Sequence, residues 1–426
     1  MQTPSNSTGT RSVPLPLVRP NIQAAAVPNS ARVFSLDAII TTMVNQAEGV
    51  SDLLFVVGRL PQIEVYGKLR PVEIAGMNPA LLPAHVEGIA LKIMGSNERL
   101  ASDLKAFGSC DTSYGVPGLA RFRVNIFKNN GNHAIVMRKL STQIPTLEGL
   151  RLPPVFSEII KEKTGIIFVT GATGSGKTTT LAAMLNEINR TQEVHMVTLE
   201  DPIEFLHPHL KGTFSQRELG KDFSDFSVGL RAALRQAPKV ILVGEIRDRE
   251  TMEIALTAAE TGHVVFSTLH TISAAQSINR VIGMFTNEEE MQIRQRLADT
   301  LRFVISQRLA PKVAGGRVMV SEIMGSSLRT REAILLGENE IRDFHEIIEA
   351  SYQNGWHSFE QSLIKLYKEQ KITEETAMVY SVNKSTMRRD LDQVKKEMYP
   401  VEDMETGLKL DREAMHVRAG ATPLPR

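Results

Sequence analysis

GIIFVTGATGSGKTTTLAAMLNEIN, residues 165–189, opens on an apolar run and closes on a helical one. Ile166–Val169 has no polar side, as a strand covered on both faces requires. From Thr178 onward the composition and spacing are those of a helix. Between them Gly171, Ala172, Thr173, Gly174, Ser175, Gly176, Lys177 and Thr178 satisfy G-x-x-x-x-G-K-[ST] in the strand–loop–helix setting that gives this pattern its meaning. The glycines let successive N–H groups converge on phosphate oxygens, with the positive end of the following helix behind them. Lys177 then reaches the β- and γ-phosphates, and Thr178, with Thr179 beside it, brings a hydroxyl to Mg²⁺. The implied ligands are ATP and Mg²⁺.

Working outward, the segments EVHMVTLE, KVILVGE and HVVFSTLH repeat the short apolar run, each separated by a helical stretch. A helix over 287–309 and a strand near Arg317–Ile323 follow. Strands without a polar face, alternating with helices, predict an α/β core around a parallel sheet. Ligands of open α/β sheets bind at the carboxyl ends of the strands. Three of those ends carry reactive groups: Glu200, Asp201 and Glu204 after the second strand, Glu245 after the third, and His270 after the fourth. A lone carboxylate at a strand end usually caps a helix. Acidic groups and a histidine on successive strands after a phosphate loop point instead to water activation and γ-phosphate sensing.

Before the core, LLFVV (53–57), QIEVYG (62–67) and KLRPVEI (68–74) read as strands, Ala84–Ile93 as a helix, and ARFRVNIF (120–127) with HAIVMRKL (133–140) as a hairpin. The expected organisation is a disordered tail over 1–33, an α+β domain over 34–141, a proline-rich linker over 142–156, the core over 157–325, a helical region over 326–399 and a flexible tail over 400–426. In the helical region Phe359, Leu363 and Leu366 follow Ser358, a suitable N-cap.

Composition narrows the function. Apolar residues make up 42% of the 426, enough for sizeable cores, and 49 basic residues face 48 acidic ones, so sequence-independent nucleic-acid binding has no electrostatic support. One cysteine, Cys110, forms neither an internal disulfide nor a paired-cysteine zinc site. No run approaches the 18 or so apolar residues of a membrane span, and the first residues lack a secretory pattern, so a cytoplasmic chain is expected.

Taken together, GATGSGKTTTLAAM, TLEDPIEF, LRAALRQAPKVILVGEIRD and ETMEIALTAAETGHVVFSTLHT resemble the secretion-ATPase superfamily, and within it the type IV pilus retraction (twitching motility) ATPases of the PilT/PilU type. The resemblance spans roughly residues 36 to 385. It implies a RecA-like P-loop core, a PAS-like N-terminal domain that includes SDLLFVVGRLPQIEVYGKLRP, and C-terminal helices. By the same resemblance Gly171–Thr178 is the Walker A loop, Glu200, Asp201 and Glu204 form the Asp box, Gly244-Glu245 the atypical Walker B, and His263 and His270 the His box.

The family assembles as a homo-hexamer with ATP between the core of one subunit and the N-terminal domain of its neighbour. It works on an inner-membrane pilus platform protein from the cytoplasmic face, in some cases beside a paralogous retraction ATPase. Basic residues of the N-terminal domain complete the site. Arg121 and Arg123 alternate with apolar neighbours on one strand and Arg138 lies on the paired strand, so these three are the candidate fingers. Two stretches depart from the principal retraction motors. RTREAILLGEN (329–339) replaces an AIRNLIRE-like motif, and GWHSFEQSLIKLYKEQKITEETAM (355–378) is more like the accessory PilU-type members. The nearest alternative is a pilus-assembly or secretion ATPase of the same superfamily, which usually carries a tetracysteine zinc subdomain that the single cysteine argues against. A ring adapter that binds nucleotide without hydrolysing it is the alternative of a different class.

Overall fold

The computed structural model describes residues 35–398, apart from 76, 78 and 142, and both terminal tails read from the sequence lie outside the described residues. The chain begins with α1 (Leu36–Val44), β1 (Val50–Val56), β2 (Gln62–Val65), β3 (Lys68–Pro71), α2 (Pro83–Met94), α3 (Glu98–Phe107), β4 (Ser109–Val116), β5 (Ala120–Asn129) and β6 (Asn132–Lys139). Its strands form one antiparallel sheet in the order β3-β2-β1-β6-β5-β4. Alternation along β5 puts Phe122, Val124 and Ile126 into the apolar layer beneath the helices, all fully buried. Arg121 and Arg123 stand on the opposite, polar face. There Ser113, Arg123, Arg138 and Asp52 form one cross-strand row.

The second body contains α4 (Phe156–Ile159), β7 (Gly165–Thr170), α5 (Lys177–Thr191), β8 (His195–Glu200), β9 (Thr213–Glu218), α6 (Phe226–Ala233), β10 (Val240–Val243), α7 (Arg249–Glu260), β11 (Val264–Leu269), α8 (Ala274–Ile282), α9 (Glu290–Thr300), β12 (Leu301–Pro311) and β13 (Arg317–Gly325). The sheet order is β13-β12-β7-β11-β10-β8-β9, parallel throughout except for the β12–β13 hairpin. Every residue of β7, β10 and β11 is buried. Along β7, Ile166 and Phe168 pack into the layer that holds α7 and α9, while Ile167 and Val169 pack into the layer that holds α5. Two apolar faces per strand explain the uniform runs seen in the sequence.

The helix expected over 287–309 is corrected. It ends at Thr300, and Leu301–Pro311 forms β12, parallel to β7 and antiparallel to β13. Leu297, Leu301, Val304, Ile305 and Leu309 fit a helical period as well as a buried strand. Pairing decides between them, because without β12 one edge of β7 would be left without partners.

The chain closes with α10 (Leu328–Leu336), α11 (Phe344–Ala350), α12 (Phe359–Lys368), α13 (Glu374–Tyr380) and α14 (Lys384–Met398). Ser358 caps α12 as expected, accepting from Gln361 N–H while the Gln361 side chain accepts from Ser358 N–H. Phe359, Leu363, Met387 and Leu391 lock these helices onto Ala310 and Val320 of the hairpin. Among the described residues no helix is long and apolar enough to cross a membrane.

Candidate active site

The loop between β7 and α5 is held open by glycine. Gly171 and Gly176 have φ of 142° and 91°, and a Cβ on Gly171 would clash with the Gln307 carbonyl. Only glycine lets the main chain curl this tightly, so the concave loop is a cradle that side chains would fill. The Gln307 side chain on β12 pins the loop from behind, donating to Ser175 O at 2.7 Å. Lys177 Nζ folds across the loop and donates to Gly171 O at 2.8 Å and Ala172 O at 3.2 Å. Burial pulls its pKa down, opposed by the nearby Glu245 carboxylate.

In front of the loop lies a cavity of about 590 Å³. Its walls include Thr173, Gly174, Gly176, Lys177, Thr178 and Thr179 of the loop and helix, together with Glu200, Asp201, Glu204, Glu245 and His270 from the strand ends. Parallel strands bring these carboxyl ends to one edge, which is why residues up to a hundred positions apart meet there. Glu245 accepts from Arg247 at 2.7 Å and lies 3.2 Å from His270 Nε2. Burial raises its pKa, but Arg247 and His270 outweigh that and hold the carboxyl below its ordinary value. Glu200 is different: burial pushes it up to about 6 against hydrogen bonds from Thr198 at 2.6 Å and Gln216 at 3.2 Å. Asp201 is also raised by burial, with Arg123 the first of the cations opposing it.

The expected residues do not all converge. Gly171, Ala172 and Ser175 shape the loop from behind and do not border the cavity. His263 precedes β11, at the opposite end of that strand from His270; its carbonyl accepts from Gly165 N–H and its Nδ1 lies 3.0 Å from Ala258 O. A six-residue strand separates the two histidines by roughly 20 Å, and His263 does not border the cavity.

The three arginines also part. Arg123 borders the cavity, Arg121 is bonded to Glu218 of the core, and Arg138 donates to Asp52 at 3.0 Å within the N-terminal sheet. The resemblance placed a neighbour's domain over this cleft, whereas here the chain's own Arg123 reaches it.

Arg247, Arg317, Gln216 and Gln307 were not singled out from the sequence. Only Arg247, two residues after Glu245, carried a readable cue. Among the described residues no group of three or more His, Cys, Asp or Glu side chains could hold a metal. A cation here would rest on Thr178 and on phosphate oxygens, which suits Mg²⁺.

Residues 117–389 match the family model described as type II/IV secretion system protein. The chain belongs to this family. The pilus retraction ATPase PilT of Pseudomonas aeruginosa is 42% identical over 330 residues, covering 78% of this chain and 94% of that protein. The type IV pilus ATPase PilU of the same organism is 34% identical over 342 residues, covering 80% and 87%. A crystal structure of the pilus retraction motor PilT with bound ADP superposes with a TM-score of 0.73 at 38% identity, over 83% of this chain and 99% of that one. This secretion-family chain is thus on the retraction-ATPase branch. Over the matched residues it is more similar to that PilT than to that PilU, at 42% against 34% identity.

Proposed function

We propose that the chain hydrolyses ATP to drive type IV pilus retraction and twitching motility. The observation that carries hydrolysis is a cavity bordered by the phosphate loop, by the Glu245–His270–Arg247 cluster and by Arg123 of the N-terminal sheet, and the similarity to PilT supports retraction. Loop N–H groups and Lys177 bind the phosphates, with Lys177 exchanging its carbonyl partners for phosphate oxygens. Glu245, kept ionised by its two basic neighbours, orients and polarises the attacking water. Arg123, which borders the same cavity, offsets negative charge on the γ-phosphate. Thr178 would hold Mg²⁺, which would supply charge neutralisation at the phosphates.

The second body then answers hydrolysis by changing its angle to the first, since Arg123 links the N-terminal sheet to the fate of the γ-phosphate. We place this motion in a homo-hexameric ring on the cytoplasmic face of the inner membrane, acting on a pilus platform protein, alone or beside a paralogous retraction ATPase. Deletion followed by assays of surface pili and twitching tests the reading. Piliated but immotile cells support retraction, and bald cells support pilus assembly instead.

A further inference from the structure

Gln216 and Glu218, two residues apart on β9, both grip the segment that leads from Glu200 to the end of the Asp box. Gln216 Nε2 donates to Phe205 O at 2.8 Å and to Glu200 at 3.2 Å, and its Oε1 accepts from His207 N–H at 2.8 Å. Glu218 accepts from Ile203 N–H at 3.3 Å. The segment with Asp201 and Glu204 is therefore fastened at both its middle and its end.

The same Glu218 carboxylate also reaches the other body. It accepts from Ser113 Oγ on β4 at 2.7 Å and from Arg121 on β5, while Lys221 closes the group at 2.7 Å to Glu218 and 2.9 Å to Ser113 O. Glu218 is only 2% exposed, and a carboxylate so deeply desolvated needs its cationic partners to stay in place. Asn97 adds a neutral contact beside it, donating to Gly220 O at 3.0 Å. Arg121 holds this end of β5, and two residues further along the same face Arg123 borders the phosphate cavity.

We infer that Glu218 is a positioning residue for ATP turnover, fixing the Asp-box segment through Ile203 and the approach of Arg123 through Arg121 and Ser113. One carboxylate then sets both walls of the phosphate site. Arg121 serves as the latch between the two bodies, and contact with the γ-phosphate falls to Arg123. This inference rests on the ATPase reading above.

The test is steady-state ATP hydrolysis by the purified full chain with Arg121→Ala, Arg121→Lys, Glu218→Gln and the Arg121→Ala/Glu218→Gln double variant, alongside binding of a fluorescent ADP analogue. Each of Arg121→Ala and Glu218→Gln is expected to lower kcat about tenfold with KM and ADP affinity within about threefold. The double variant should be no worse than the poorer single, because both break one link, and Arg121→Lys should return to within about threefold of wild type. Losses that multiply in the double variant, unchanged kcat in Arg121→Ala, or a KM effect without a kcat effect would each overturn the inference. Should Glu218→Gln fail to fold, the kcat loss in Arg121→Ala and its recovery in Arg121→Lys decide the matter. A wild-type chain without turnover overturns the ATPase reading and this inference with it; an active wild type with silent variants overturns this inference alone.

Discussion

The two sheets treat their functional side chains in opposite ways. In the parallel sheet, Lys177, Glu200, Glu245 and His270 come from four separate strand ends and meet at one cavity. In the antiparallel sheet, Arg121, Arg123 and Arg138 share one face within two neighbouring strands, yet each has a different partner. Parallel topology collects whatever follows each strand, so order along the chain is enough to predict convergence. A shared face in an antiparallel sheet fixes direction only, and what lies opposite it decides the role.

The largest losses are expected at the edge of the parallel sheet. Lys177→Ala and Glu245→Gln are each expected to reduce kcat at least about a hundredfold, the loss typical of removing one charge-stabilising group, read by steady-state phosphate release. Equal turnover in wild type and both variants would remove the enzyme from the account.

The arginine face comes next. Arg123→Ala should lower kcat about thirtyfold, whereas substituting Arg138, whose side chain is 70% exposed and paired with Asp52, by Ala should leave it within about twofold. Similar losses in both would show that the shared face acts as a unit.

The two histidines sharpen the contrast inside the parallel sheet. His270→Ala should cost about tenfold in kcat and His263→Ala less than about threefold, since only His270 lies at the carboxyl end of β11 beside Glu245.

A separate effect is on stability. Glu200 has its pKa raised from 4.5 to about 6, so between those values the unfolded chain releases its proton before the folded one does. This group's contribution to stability is complete below about 4.5 and falls by about 2 kcal/mol as the pH rises through 6. Denaturant titrations of wild type and Glu200→Gln across that window should differ by this slope. Parallel curves would place the Glu200 carboxyl in a wetter setting.

What the sequence revealed follows the same division. β7, β10 and β11 were legible because both of their faces are buried, leaving runs that no exposed element would carry. β12 was hidden because its apolar spacing also suits a helix, and only its pairing with β7 distinguishes them. β9, TFSQRE, is an edge strand with no apolar alternation, so Gln216 and Glu218 had no local signal although both hold the Asp-box segment. Arg121 and Arg123 were found together by alternation. Their separate partners depend on how the N-terminal sheet meets the core, which no local pattern encodes.

A structure of the chain with a non-hydrolysable ATP analogue and Mg²⁺ would show which groups hold the γ-phosphate. The expected result is Lys177 Nζ moved from Gly171 O onto the phosphates, the γ-phosphate between Glu245 and Arg123, and Arg121 still bonded to Glu218. A γ-phosphate held by Arg121 with Glu218 released, or nucleotide bound away from the residue 171–178 loop, would contradict it.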